Sequence, residues 1–113
     1  MYKRGNIYLA KLYPSKGNEV GKKRPVVVLQ TDILNTIGHT TLIILPLTTQ
    51  LVDESYPLRY RLSKREALTE DSEVLCDQIR TISTQRLEAQ KIATLTEKEM
   101  LHIQEQVAIL LEI

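Results

Sequence analysis

Residues 17–30, GNEVGKKRPVVVLQ, place Glu19, Lys22, Lys23 and Arg24 directly ahead of a continuous apolar run. Proline biases the residue before it toward extended geometry, so Arg24, immediately before Pro25, is expected at the mouth of a buried strand. A guanidinium there suits a phosphate, because its planar fork holds two oxygens at once and stays charged. Gly17 and Gly21 allow the preceding loop unusual backbone angles near a ligand. Other chemistries find less support in the residue types. His39 and His102 are the only histidines, one in a loop-like stretch and one in an amphipathic run, with no evident pairing as an acid–base couple. No His/Cys/Asp cluster has metal-ligand spacing, so neither metal nor cofactor is expected. The single cysteine, Cys76, lies in an apolar stretch and reads as a small core residue rather than a nucleophile.

The elements that must position Arg24 follow from hydrophobic patterning. Residues 6–12, NIYLAKL, are apolar on both faces and predict a strand buried on much of both sides. Residues 25–29 form a second strand and residues 40–47, TTLIILPL, a third, in which Pro46 argues for a bulge or an edge. Residues 32–39 read as a loop or helical turn. Residues 56–62, YPLRYRL, alternate, with Leu58, Tyr60 and Leu62 on one face and Arg59 and Arg61 on a wet, cationic one. Ser63 and Glu66 match a capping box, predicting a short helix. Residues 73–79 predict a further strand and residues 85–89 one helical turn. Thr96 and Glu99 form a second capping box, ahead of Met100, Ile103, Val107, Leu110 and Leu111 at helical spacing. About five short, mostly antiparallel strands and a C-terminal amphipathic helix describe a mainly β (α+β) domain.

The 113 residues predict one domain over 1–113, long enough for a core without staples. Phe and Trp are absent, so five tyrosines and the aliphatic residues must fill that core. One cysteine permits no internal disulfide, which suits a reducing cytoplasm. No run approaches the ~18 apolar residues of a membrane span, and the N-terminus lacks the apolar region of a signal peptide. A cytoplasmic protein with no membrane association is expected. The net charge of +1 hides a polarity, since residues 1–52 hold seven basic against two acidic residues. Such an uneven distribution steers a polyanion to one face.

Three segments, with their order and spacing, resemble the MazF/PemK/Kid family of toxin endoribonucleases from toxin–antitoxin pairs. They are RGNIYLAKLYPSKGNEVGKKRPVVVLQTD (residues 4–32), PLTTQ (residues 46–50) and EVLCDQIRTI (residues 73–82). The resemblance implies a small SH3-like antiparallel barrel with short helices, assembled as a homodimer. It implies metal-independent cleavage of single-stranded RNA, typically mRNA, at short sequence motifs. It also implies neutralisation by a cognate antitoxin whose acidic C-terminal segment competes with RNA near residues 22–24. A gyrase-binding toxin of the same fold, similar to CcdB, is the alternative. This chain lacks that toxin's Trp-Gly-Ile ending and finishes LLEI. A third reading is an RNA-binding module with an inactive site.

By the same resemblance Arg24 and Thr48 act at the scissile phosphate, Glu19 matches a loop glutamate used by some members, and Asp77 matches the base of one branch. That branch also has a histidine before the loop glutamate and an arginine ahead of Cys-Asp. Here Asn18 and Leu75 stand there, so its full mechanism does not carry over. RNA carries its own nucleophile, the 2′-hydroxyl, and an enzyme need only align it, move two protons and stabilise charge on phosphorus. Arg24 supplies the charge and Thr48 a hydroxyl donor. Asp77, alternating with Leu75 and Ile79 and thus expected to be partly buried near Arg80, either takes the 2′-OH proton or pairs with Arg80; Glu19 is the rival base. Lys16, Lys22, Lys23, Arg59, Arg61 and Arg80 are candidates for tracking the RNA backbone, and Asn18, Gln30 and Gln78 for reading base edges.

Overall fold

The structure, a computed structural model, describes residues 1–12 and 23–113. The chain runs β1 (Asn6–Lys11), β2 (Lys23–Val28), α1 (Asp32–Thr36), β3 (Thr41–Thr48), β4 (Arg59–Leu62), β5 (Ser72–Leu75), β6 (Arg80–Ser83), β7 (Leu87–Thr94) and α2 (Glu97–Leu111). Every strand pair is antiparallel. The sheet follows the path β4-β5-β3-β2-β1-β7, with β6 also on β3. Among the described residues its ladder does not close, since β4 and β7 stand at opposite ends of the path. The β4–β5 connection spans that gap instead. Arg65 bridges Leu68, the Ala67 N–H donates to the Ile92 carbonyl at 3.0 Å, and the Thr94 N–H donates to Glu66 Oε2 at 2.8 Å.

The three apolar runs near the N-terminus read as continuous because their strands are covered on both faces. Ile7, Val27, Leu45 and Leu47 enter one cluster, with Leu62, Val74, Cys76, Ala93 and the α2 residues Met100, Ile103 and Val107. Their neighbours Tyr8, Ala10, Val26, Val28, Leu42 and Ile44 enter a second, with Ile82 and Leu87. Tyrosine replaces the missing Phe and Trp in that second cluster. Tyr2 and Tyr8 meet edge to face at 4.8 Å between centroids, and the Tyr2 hydroxyl donates to the Leu87 carbonyl.

Pro46 lies not at an edge but inside β3, opposite Val26 of β2. One side of β3 pairs with β2; the other passes from β6, at Thr41–Ile44, to β5, at Leu47 and Thr48. Pro46 falls in the gap between those two partners, where its missing N–H costs no ladder bond.

Several expectations are corrected. The alternating stretch 56–62 is a strand only over Arg59–Leu62, following a turn with a cis Tyr56–Pro57 bond. Residues 63–66 form no helix, because Glu66 adopts φ 51° and its carboxylate is spent on the Thr94 N–H. The run 73–79 breaks after Leu75 into a turn and resumes as β6, while residues 84–86 form a single 3₁₀ turn leading into β7. Among the described residues seven strands stand where about five were expected. The C-terminal helix forms as its pattern requires. Thr96 and Glu99 make both hydrogen bonds of the capping box, and Met100, Ile103 and Val107 are buried, whereas Leu111 is exposed. Glu99 also takes Arg65 at 2.8 Å, tying α2 to the β4–β5 connection.

Candidate active site

The β2–β3 register sets Val26 opposite Pro46 and Val27 opposite Leu45. Continued by two residues, it brings Arg24 and Thr48 to the same end of the sheet. There Lys23, Arg24, Pro25, Leu47, Thr48, Thr49, Gln50 and Ser72 line a cleft of about 350 Å³. Arg24 is exposed on β2, where its backbone pairs with Ala10. Among the described residues it makes no ion pair. Lys23 beside it pairs with Glu88 at 2.8 Å, both side chains remaining about half exposed. Thr48 is half-buried at the end of β3, and its Oγ1 accepts the Gln50 N–H at 3.1 Å. That bond occupies a lone pair and leaves the hydroxyl hydrogen to donate. A guanidinium, an ammonium and oriented hydroxyls around one cleft form a setting for a phosphate oxyanion.

Opposite Thr48 in the ladder stands Glu73, on β5. Its side chain is 3% exposed, yet it is ionised and fully occupied. Oε1 accepts from the Val52 N–H at 2.9 Å and Arg59 Nη1 at 3.0 Å; Oε2 accepts from Arg61 Nε at 3.1 Å and Nη2 at 2.9 Å. Burial pushes the carboxyl pKa up, but the Val52 N–H and the two arginines outweigh it and hold it below its ordinary 4.5. Arg61 also reaches Asp53 at 2.8 Å. The face expected to be wet and cationic is therefore largely neutralised. Arg59 and Arg61 belong to this cluster rather than to an open track for a polyanion. Sequence reasoning missed Glu73 because its partners lie 12 and 14 residues away. The alternation of Arg59 and Arg61 beside an apolar strand carrying one glutamate was the available signal.

The other expected site residues fall in different places. Asn18, Glu19 and Lys22, like Lys16, lie outside the described residues. Asp77 and Gln78 sit exposed after β5, Asp77 in a turn rather than half-buried in a strand, and neither lines the cleft. Arg80 opens β6 and donates to the Leu12 carbonyl at 3.2 Å; Arg86 donates to the same carbonyl at 3.1 Å, so both hold the exit of β1. Gln30 is no base reader. It is buried, its Nε2 donates to Asn35 Oδ1 and the Thr41 carbonyl, and its Oε1 accepts the Ile43 N–H. Those bonds seat α1 against β3 and leave its amide nothing to offer a nucleotide. Cys76 is buried, and burial followed by the charge of Asp77 pushes its thiol up to about 12, far from a nucleophilic thiolate. His102 stacks on Tyr60 at 6.0 Å between rings, remote in sequence from any partner histidine. Among the described residues no group of three or more His, Cys, Asp or Glu is placed to hold a metal ion, and no helix is long and apolar enough to cross a membrane.

A family model described as PemK-like, MazF-like toxin of type II toxin–antitoxin system matches residues 3–111. The chain belongs to that family. Among its relatives, endoribonuclease EndoA of Bacillus subtilis is 40% identical over 99 residues, covering 87% of this chain and 84% of the relative. Endoribonuclease MazF of Staphylococcus epidermidis is 36% identical over 104 residues, covering 91% and 85%. The fold recurs in a MazE–MazF crystal structure from Deinococcus radiodurans, with TM-score 0.81 and 20% identity over 99% of this chain and 96% of that one. It recurs also in the Mycobacterium tuberculosis toxin MazF-mt6, with TM-score 0.76 and 20% identity over 96% and 97%. These PemK/MazF neighbours carry the same mostly antiparallel sheet with its C-terminal helix, the SH3-like barrel architecture that the motifs implied.

Proposed function

We propose that this chain is an endoribonuclease toxin, a single PemK/MazF domain over residues 1–113 that cuts single-stranded RNA, including mRNA, at a short sequence motif. The observation that carries the reading is the convergence of Arg24 and Thr48 on one cleft, in a chain whose relatives are named endoribonucleases. The 2′-oxygen attacks the adjacent phosphorus and the P–O5′ bond breaks. The 2′-OH proton passes to a base and the 5′-oxygen gains a proton, leaving a 2′,3′-cyclic phosphate and a 5′-hydroxyl. Arg24 balances the charge gathering on the non-bridging oxygens, and the Thr48 hydroxyl donates to one of them. Asp77 and Glu19 are the two candidate bases, and separate Asn and Gln substitutions assign the role. The chain works as a cytoplasmic homodimer, and its antitoxin brings an acidic segment to the basic end of β2. The MazE–MazF complex from Deinococcus radiodurans supports such a partner.

Purified protein in EDTA, given long single-stranded RNA, is expected to produce discrete fragments with 5′-hydroxyl ends. Intact RNA at high protein concentration, with antitoxin shown to be absent, would overturn the proposal. A fully 2′-deoxy substrate is expected to resist.

A further inference from the structure

The segment after Thr48 needs something other than apolar packing to hold it. Leu51 and Val52 are 43% and 49% exposed, and Asp53 and Glu54 are exposed as well. Polar ties hold it instead. Arg59 Nη1 donates to the Gln50 carbonyl at 2.8 Å and to Glu73; Glu73 accepts the Val52 N–H; Ser55 Oγ donates to the Val52 carbonyl at 3.0 Å. The Gln50 N–H in turn donates to Thr48 Oγ1. We propose that Glu73 is a positioning residue for the cleft: through Arg59 and Gln50 it fixes the orientation of the Thr48 hydroxyl. The proposal rests on the endoribonuclease reading above.

Energetics favour this role over simple stabilisation. Taking the Glu73 carboxylate out of water is costly, and buried ion pairs often stabilise no better than apolar residues of similar volume. What the cluster supplies is geometry. Glu73 faces Thr48 across the β3–β5 ladder, so a rigid strand pair carries one end of the relay. The other end is an exposed loop whose position is set by hydrogen bonds at Gln50 and Val52. Gln50 is gripped on both sides, its carbonyl by Arg59 and its N–H by Thr48. Without Glu73, Arg59 loses the acceptor that aims it, Gln50 drifts, and the Thr48 side chain regains its rotamers.

Glu73→Gln and Arg59→Lys in the full chain test this, with the RNA that wild type cuts. Arg59→Lys keeps the positive charge at a side chain 25% exposed, and so remains informative should Glu73→Gln fail to fold. Both variants are expected to lose roughly ten- to hundred-fold in kcat with KM within about threefold of wild type, as befits lost alignment rather than lost binding. Amide hydrogen exchange at Gln50 is expected to accelerate in both. Wild-type kcat in both variants, a loss carried by KM, or unchanged Gln50 exchange would each overturn the proposal. Should wild type itself fail to cleave, the functional reading falls, and Gln50 protection in Glu73→Gln against wild type still decides the positioning.

Discussion

In the proposed reaction Arg24 and Thr48, which line one cleft, divide the work at a phosphate in different ways. The threonine offers one short-range donor whose direction must be set by its neighbours, whereas the guanidinium brings a charge and a two-pronged geometry together. These contributions separate on substitution. Arg24→Lys keeps a point charge and is expected to retain more activity than Arg24→Ala, which should fall by about a hundredfold or more in kcat. Neither should alter the fold, because Arg24 is exposed and unpaired among the described residues. Single-turnover cleavage alongside thermal unfolding checks both; equal activity in Ala, Lys and wild type would remove Arg24 from the reaction. Arg24 was legible in the sequence because Pro25 and the apolar run marked its place. Gln30 was not, because a polar residue just past a strand looks available until the side chains that consume it are seen. Asp77 was misplaced for a related reason: alternation with Leu75 and Ile79 persists in sequence across a turn that interrupts the strand.

Among the elements, those with a complete local signature were the legible ones. β1, β2 and β3 announce themselves because both of their faces are covered, and α2 because its first turn carries its own cap. β7 hid. In LEAQKIAT only Leu87 and Ala93 are buried, so its extended form is dictated by pairing with β1 at the far end of the chain. The junction of β1 and β7 depends on Gly5. Its φ is +86°, its N–H donates to the Val28 carbonyl, its carbonyl accepts the Leu95 N–H, and an added Cβ would lie 3.4 Å from Met100 Cγ. Gly5→Ala is expected to destabilise the fold by about 1–2 kcal/mol from the left-handed backbone alone, with further loss from crowding Met100. Denaturant unfolding measures this; an unchanged midpoint would refute it. The glycine of the Arg-Gly pair is thus explained by backbone geometry rather than by contact with substrate.

At the scale of the whole molecule, carboxylates act as clasps between distant parts. Asp32 accepts the Arg4 N–H at 2.8 Å, Glu73 ties β5 to β4 and to the loop before it, and Glu99 ties α2 to Arg65. Each is more acidic in the folded chain than its ordinary value, chiefly through the Arg4 N–H for Asp32 and through Arg65 for Glu99; for Glu73 the hydrogen bonds overcome burial. A carboxyl whose folded pKa is lowered contributes stability above its unfolded value and loses it as pH falls through the folded one. Stability is therefore expected to hold steady from neutrality to about pH 5 and to decline below the ordinary values of 4.5 and 3.8. Thermal unfolding across that range is the check, and a melting temperature indifferent to acid would contradict it.

The pairing of β1 with β7 also bears on how the protein is made. Arg24 and Thr48 leave the ribosome before Ala93, Leu95, Met100, Ile103 and Val107, which complete the core beneath β2 and β3. Until then one edge of β1 lacks its partner and the sheet behind the cleft has no floor. A nascent chain thus carries the residues of the proposed site before the frame that positions them.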